Sequence, residues 1–309
     1  EYRCVVIGTC PPADTSISAL LTVEPPLQVI ATTIGSVTSM TDTVSIPVMV
    51  IDCNGVAAIS LTLDYDPVIL EFIGYSNLYP DLSTGFLIVN SNDGHCIVSW
   101  ASITPANVGN DTLINLDFLT HVGSTDLIWD TGTPGNCEYS DSDGNIILSE
   151  YYNGNATIDG ILLDMKVFFE GPFNVTQMEP NLNPDFLPLS QPYGTTPWNY
   201  AGSESVSSFP DPDIVGWILM ELRETTGDAS TATDTTVIAR QAGFILNDGS
   251  LVRKNGFSPL DFKLIISHNL YVVIQHRNHL AVMSASPLTE TGGIYYYDFS
   301  TGAEQAYGG

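Results

Sequence analysis

From Val44 to Ile158 apolar residues recur at alternate positions in short runs. VSIPVMVIDCNGVAAISLTLDYDPVILEFIGY, GFLIVNSNDGHCIVSWASITP, GNDTLINLDFLT and DLIWDTGTPGNCEYSDSDGNIILSEYYNGNATI follow one another. They are rich in β-branched and aromatic residues and divided by Asn-Gly, Asp-Gly and Gly-Asn turns, with no apolar period of 3.6 over a helical length. The pattern predicts strands throughout. Residues 1–24 hold two more alternating runs, Tyr2 to Ile7 and Ile17 to Val23, around the turn-rich GTCPPADTS, which predicts one hairpin. Glu24-Pro25-Pro26 breaks any ladder and marks a linker. Past Asp159-Gly160 a strand is expected from Met165 to Glu170, then a proline-studded span, NLNPDFLPLSQPYGTTPWNY, held by Phe186, Tyr193, Trp198 and Tyr200. Strands return at Ile214 to Arg223, Thr236 to Leu246, Leu251 to Arg253, Phe262 to Ile266, Tyr271 to Arg277 and Tyr295 to Phe299. The expected fold is all-β, two β-sandwiches in tandem over 28–160 and 163–309, preceded by the hairpin of 1–24.

Composition narrows the function. The 309 residues suffice for more than one core. Asp and Glu number 35 against 8 Lys and Arg, a formal net charge of -27, so phosphate backbones and anionic lipid surfaces are repelled. Nucleic acid is not expected as a partner. The acids are dispersed and the mean hydropathy is +0.14, which points to a solvated surface on a packed fold. No run approaches the ~18 apolar residues of a membrane span, so membrane insertion is not expected either. Five cysteines without CxxC spacing argue against zinc, and a chain rich in Thr, Ser, Asn and Gly and poor in Lys reads as exported.

Two resemblances add to this. The Tyr2-x-Cys4 run with its hairpin resembles the end of an immunoglobulin-like domain, or its two strands are donors that complete the sheet of a neighbouring subunit. IPVMVIDCNGVAAISLTLDYDPVILEF, with Val98-Ser99-Trp100 and the Asn-x-x-Leu-x-x-Leu-x-Phe stretch of 110–118, resembles a cohesin domain over roughly 28–160. GNCEYSDSDGNIIL and YYNGNATI further resemble cohesin-like modules of large exported surface proteins of Bacteroidota that use type IX-like secretion. MKVFFEGPF, WILMELRE and VVIQHRNHLAVMSA resemble a module of unassigned function in the C-terminal part of such proteins. The resemblance implies a jelly-roll sandwich, an extracellular or cell-surface place, no enzymatic activity, and a role in adhesion or assembly. It also implies a protein partner, either a dockerin-like module or identical subunits joined as a filament or sheath, and both chain ends internal to a longer polypeptide. On the cohesin-like strand order Cys53 and Cys137, the latter in the GNCEY loop, are expected to bridge, with Cys96 buried and free beside Trp100 and Cys4 paired upstream.

Several residues invite chemistry. Asp141, Asp143 and Asn145 offer oxygen ligands for calcium, the one cofactor with candidate ligands, although the spacing departs from an EF-hand and suits an Asp-Gly turn. Thr43, Thr112 and Thr235 lie in Asp-Thr tripeptides resembling the O-glycosylation pattern of Bacteroidota. Tyr193, Trp198 and Tyr200, and also Tyr295 to Tyr297, could stack on sugars, which would make a carbohydrate-binding module the alternative function, favoured by exposed coplanar rings. His276 and His279, three apart on one strand, would face opposite ways and could share an ion only across a bulge. Glu221 and Glu224 would likewise face apart, against a glycosidase pair.

Overall fold

The computed structural model describes residues 5–6, 14–15, 28–183 and 185–309. The fold is all-β, and the helical elements among the described residues are short 3-10 segments, the longest Pro80–Thr84. Of the hairpin expected over 1–24, Val5–Val6 and Asp14–Thr15 are described and pair antiparallel, which starts the second strand inside the segment expected to turn. The remainder of that hairpin, with Cys4, lies outside the described residues.

Two long strands organise the part up to Ile158. β1 (Thr43–Asp64) and β2 (Phe86–Asn92) precede β3 (His95–Thr120), and β1 pairs with β3 antiparallel from Thr43↔Leu119 to Asp64↔His95. Register shifts between Val50 and Ala58 bend both strands. Their effect is visible in the burial. Val44, Ile46, Val48 and Val50 point inward before the bend, whereas Ile59, Leu61 and Leu63 do so after it. An extra residue flips the inward parity, which period-two geometry demands if both halves are to cover one core. Asp52 and Gly55 take the positive φ this needs, 56° and 67°. The freed backbone is satisfied locally: Asn110 Oδ1 accepts from Asp52 N at 2.8 Å and Asn107 Oδ1 from Gly55 N at 3.0 Å. β4 (Glu138–Ser140) adds to the second half of β1. The unit closes with two parallel pairings, Ser149–Tyr152 on Ile30–Ile34 and Gly154–Ile158 on Val37–Ser39.

A second core begins at β5 (Ile161–Lys166), four residues earlier than expected, because Ile161, Leu163 and Met165 alternate inward. β5 lies in a mixed four-stranded sheet with Leu260–Phe262 and Ile294–Asp298. Opposite stands a five-stranded antiparallel sheet built on β6 (Ile214–Thr225), β7 (Val237–Leu246), β8 (Asn269–His276) and β9 (His279–Met283). Ile218, Met220 and Leu222 of β6 face the first layer, while Trp217 and Leu219 face the other way. The proline-studded span covers that outer face and makes a third layer. Tyr193 is its buried anchor, with Leu187, Trp198 and Tyr200 packed beside it. Phe186, expected to share this work, is instead 74% exposed. Its neighbour Leu187 carries the inward position.

The sequence reading missed β9 and the short strand Thr289–Thr291, and the run from Phe262 to Ile266 is a strand only to Phe262. Among the described residues no helix is long and apolar enough to cross a membrane.

Candidate functional site

The second half of β1, β2, the first half of β3 and β4 form one sheet whose inner residues are core. Cys96, Val98 and Trp100 of β3 and Ile59, Leu61 and Leu63 of β1 point inward. The pleat therefore fixes which residues face out, and the register aligns them in rows. Phe86, Ala101, Ala58 and Ser140 form one row; Ile88, Ser99, Ser60 and Glu138 form the next. Asn90, Ile97 and Thr62 follow, and Asn92, His95 and Asp64 end the face. The outer face of an antiparallel sheet is ordinarily polar. Here Phe86 is 71% exposed, Ile88 and Ile97 are nearly half exposed, and Ile103, two residues beyond Ala101, is wholly exposed. Small residues between them leave the apolar side chains standing above a shallow floor. Contiguous exposed apolar surface of this kind marks an interaction site.

The floor is stiff. Trp100 is buried under the face and donates from Nε1 to the Leu82 carbonyl at 2.8 Å. A Cβ at Gly85 would collide with that indole, so the chain enters β2 pressed against it. The rim is acidic. Residues 28–160 carry 16 Asp and Glu and not one Lys or Arg. The charge that can become positive at this face is His95, whose Nδ1 stands 2.8 Å from Asp64 and whose pKa is raised by that bond.

The residues singled out from sequence are placed as follows. Cys53 and Cys137 do not bridge, and both are free thiols, as is Cys96. Cys137 Sγ sits 3.6 Å from the Thr62 carbonyl, nine residues from Cys53 along β1. Cys53 lies within the bend of β1, whereas Thr62 lies in the regular run beyond it. Burial pushes the Cys53 and Cys96 thiols up to about 12.

The sugar-stacking reading fails at its main ring. Tyr193 is fully buried, donates to the Trp217 carbonyl at 2.7 Å and meets Trp198 edge-on at 86°, while Tyr200 donates to Glu204. These rings fill the third layer and present no coplanar platform. Thr43 and Thr235 are exposed and Thr112 is half-buried on β3.

The calcium loop is a hydrogen-bonded turn. Asp141 Oδ1 accepts from the backbone of Asp143 and Asn145, and Oδ2 accepts from Asn145 Nδ2 at 3.0 Å, so the oxygens are turned on the loop itself and the Asn145 bonds hold the Asp141 carboxyl below its usual range. Among the described residues no three His, Cys, Asp or Glu side chains are placed to hold a metal ion. Glu221 is buried between Arg223 and Arg240, and Glu224 caps the backbone of Ser267 and His268.

His276 and His279 depart most from expectation. They belong to different strands. The hairpin between β8 and β9 pairs His276 with His279 after a register shift at Ile274, and both rings lie on Phe169.

No protein-family model matches the chain, and no curated protein matches it. Similar solved structures are cohesins. A non-cellulosomal cohesin from the archaeon Archaeoglobus fulgidus is 20% identical, covering 42% of this chain and 91% of its own, at a TM-score of 0.36. The sixth cohesin of Acetivibrio cellulolyticus scaffoldin B, solved with a Cel5 dockerin, is 18% identical over 42% of this chain and 99% of its own, at 0.37. A type I cohesin from Clostridium thermocellum, in complex with a dockerin, is 14% identical with the same two coverages and TM-score.

Proposed function

We propose that the chain is a non-enzymatic adhesion or assembly protein of a bacterial cell surface, and that the outward face of β1, β2 and β3 holds a protein partner of dockerin-like kind. The observation that carries the reading is the row-by-row alignment of Phe86, Ile88 and Ile97 on a face where alternation calls for polar residues. The sequence resemblance to cohesins supplies the partner class. The acidic rim supplies its chemistry: an apolar centre ringed by Lys or Arg, since opposite potentials steer the encounter. Charge also favours a basic partner over identical subunits as the occupant of this face. Two copies of a segment with 16 acids and no Lys or Arg would repel each other across it.

Immobilised dockerin modules, including ones with basic flanks, test this by surface plasmon resonance at low and high salt, with sedimentation velocity of the chain alone. Binding that weakens with salt and disappears in Ile88→Asp supports the reading. Failure of every module overturns the dockerin-like partner, and a salt-insensitive dimer that Ile88→Asp dissolves makes the face a self-interface instead.

A further inference from the structure

The imidazoles of His276 and His279 stand with ring centres 4.9 Å apart and planes tilted by 45°. An ion held at about 2.1 Å by a nitrogen of each ring, with square-planar to tetrahedral angles, places the two ring centres about 4.6–5.3 Å apart. The observed separation of the ring centres falls within that range. The hairpin produces this. Cross-strand partners share a face, so a turn at Arg277-Asn278 brings together two side chains that a continuous strand would send apart. Phe169 stacks on His279 at 10° and packs against His276, which fixes both rings without using a nitrogen.

One backbone hydrogen bond engages the His276 ring. Its Nδ1 accepts one long contact, 3.2 Å from Asn278 N, while Nε2 faces the open Cα of Gly216. The two histidines lie on the wall of a pocket of about 270 Å³ that Glu179 also lines. Asn181 and Asn174 hydrogen-bond the two oxygens of that carboxylate and hold its pKa below the ordinary range, so a negative charge lines the same pocket.

We propose that the β8–β9 hairpin is a two-histidine site for a borderline first-row divalent cation such as Zn2+, Ni2+ or Cu2+, with water completing the coordination. His276 binds through Nδ1, exchanging the Asn278 contact for the metal. Nitrogen donors exclude Ca2+ and Mg2+ as the preferred ion despite the acidic surface. An ion here ties β8 to β9 and stabilises the folded state in proportion to its occupancy.

The test is Cu2+ and Ni2+ titration of the full chain in excess Mg2+, which occupies surface carboxylates. Calorimetry should give one equivalent, Cu2+ electron paramagnetic resonance should show coupling to two imidazole nitrogens, and Ni2+ should raise the thermal midpoint. His279→Ala, a half-exposed position, should fold, lose the second nitrogen and lose the thermal shift; His276→Asn serves as the second variant. Absence of a one-equivalent site, or a two-nitrogen signal that survives His279→Ala, overturns the proposal.

Discussion

Phe86→Ala separates binding from folding at the proposed docking face. Phe86 leaves 71% of its surface in water, so truncation removes little that folding buries. The expected change in stability is within about 0.5 kcal/mol, a shift of roughly 2 °C or less in the thermal midpoint. Binding is another matter. A Phe buries about 150–250 Å² when covered, and the exposed share is then roughly 120 Å². At ~25 cal/mol/Å² that area is worth about 3 kcal/mol. Ala keeps a fraction of it, so the loss should be about 2 kcal/mol, or roughly 30-fold in Kd. The assay is a dockerin-module titration by calorimetry, paired with a thermal melt of the same sample. An unchanged Kd with an unchanged melt would refute the placement of the partner on this face. A melt lowered by 10 °C or more would refute the exposure argument.

Three further outcomes follow from particular contacts. Glu221, 1% exposed and paired at 2.6 Å with both Arg223 and Arg240, should cost about 3 kcal/mol when changed to Leu, because two cations lose their counter-charge; urea titration measures it, and a change below about 1 kcal/mol contradicts the pairing. The depressed His276 pKa makes the unfolded chain take up a proton that the folded chain refuses, so this contribution is intact above about 6.5 and is lost as pH falls toward 4. Thermal midpoints between those pH values should fall less steeply in His276→Asn than in the parent chain. Cys53 and Cys96 should resist alkylation until the chain is unfolded, and peptide mapping without reductant should recover Cys53 unlinked; a 53–137 bridged peptide would overturn the register of β4 on β1.

The failed disulfide and the re-paired histidines share a cause. Both expectations counted residues along the chain, whereas both outcomes depend on which strand neighbours which. Cys137 is near Cys53 only if the GNCEY loop meets the bend of β1, but β4 starts at Glu138 and docks with that residue opposite Ser60. His276 and His279 face apart only if Arg277 and Asn278 continue a strand, and instead they turn. The docking face had a signal in the sequence, Phe86 and Ile88 alternating with Leu87 and Val89. It could not be read there, since a strand apolar on both faces is equally a strand buried on both faces.

The same contrast separates what the chain determined alone from what the fold decided. Period-two alternation, turn pairs and the missing helical period made the protein all-β, and the scarcity of Lys and Arg made its surface acidic. These are local or additive properties, summed along the chain without knowledge of neighbours. Register, the parity flip at Asp52 to Gly55, the third layer over β6, the solvent exposure of Phe86 and the meeting of His276 with His279 depend on contacts between distant segments. Side-chain direction in a strand repeats every two residues, so one bulge or one turn reverses every face after it, and only the assembled sheets decide where those reversals fall.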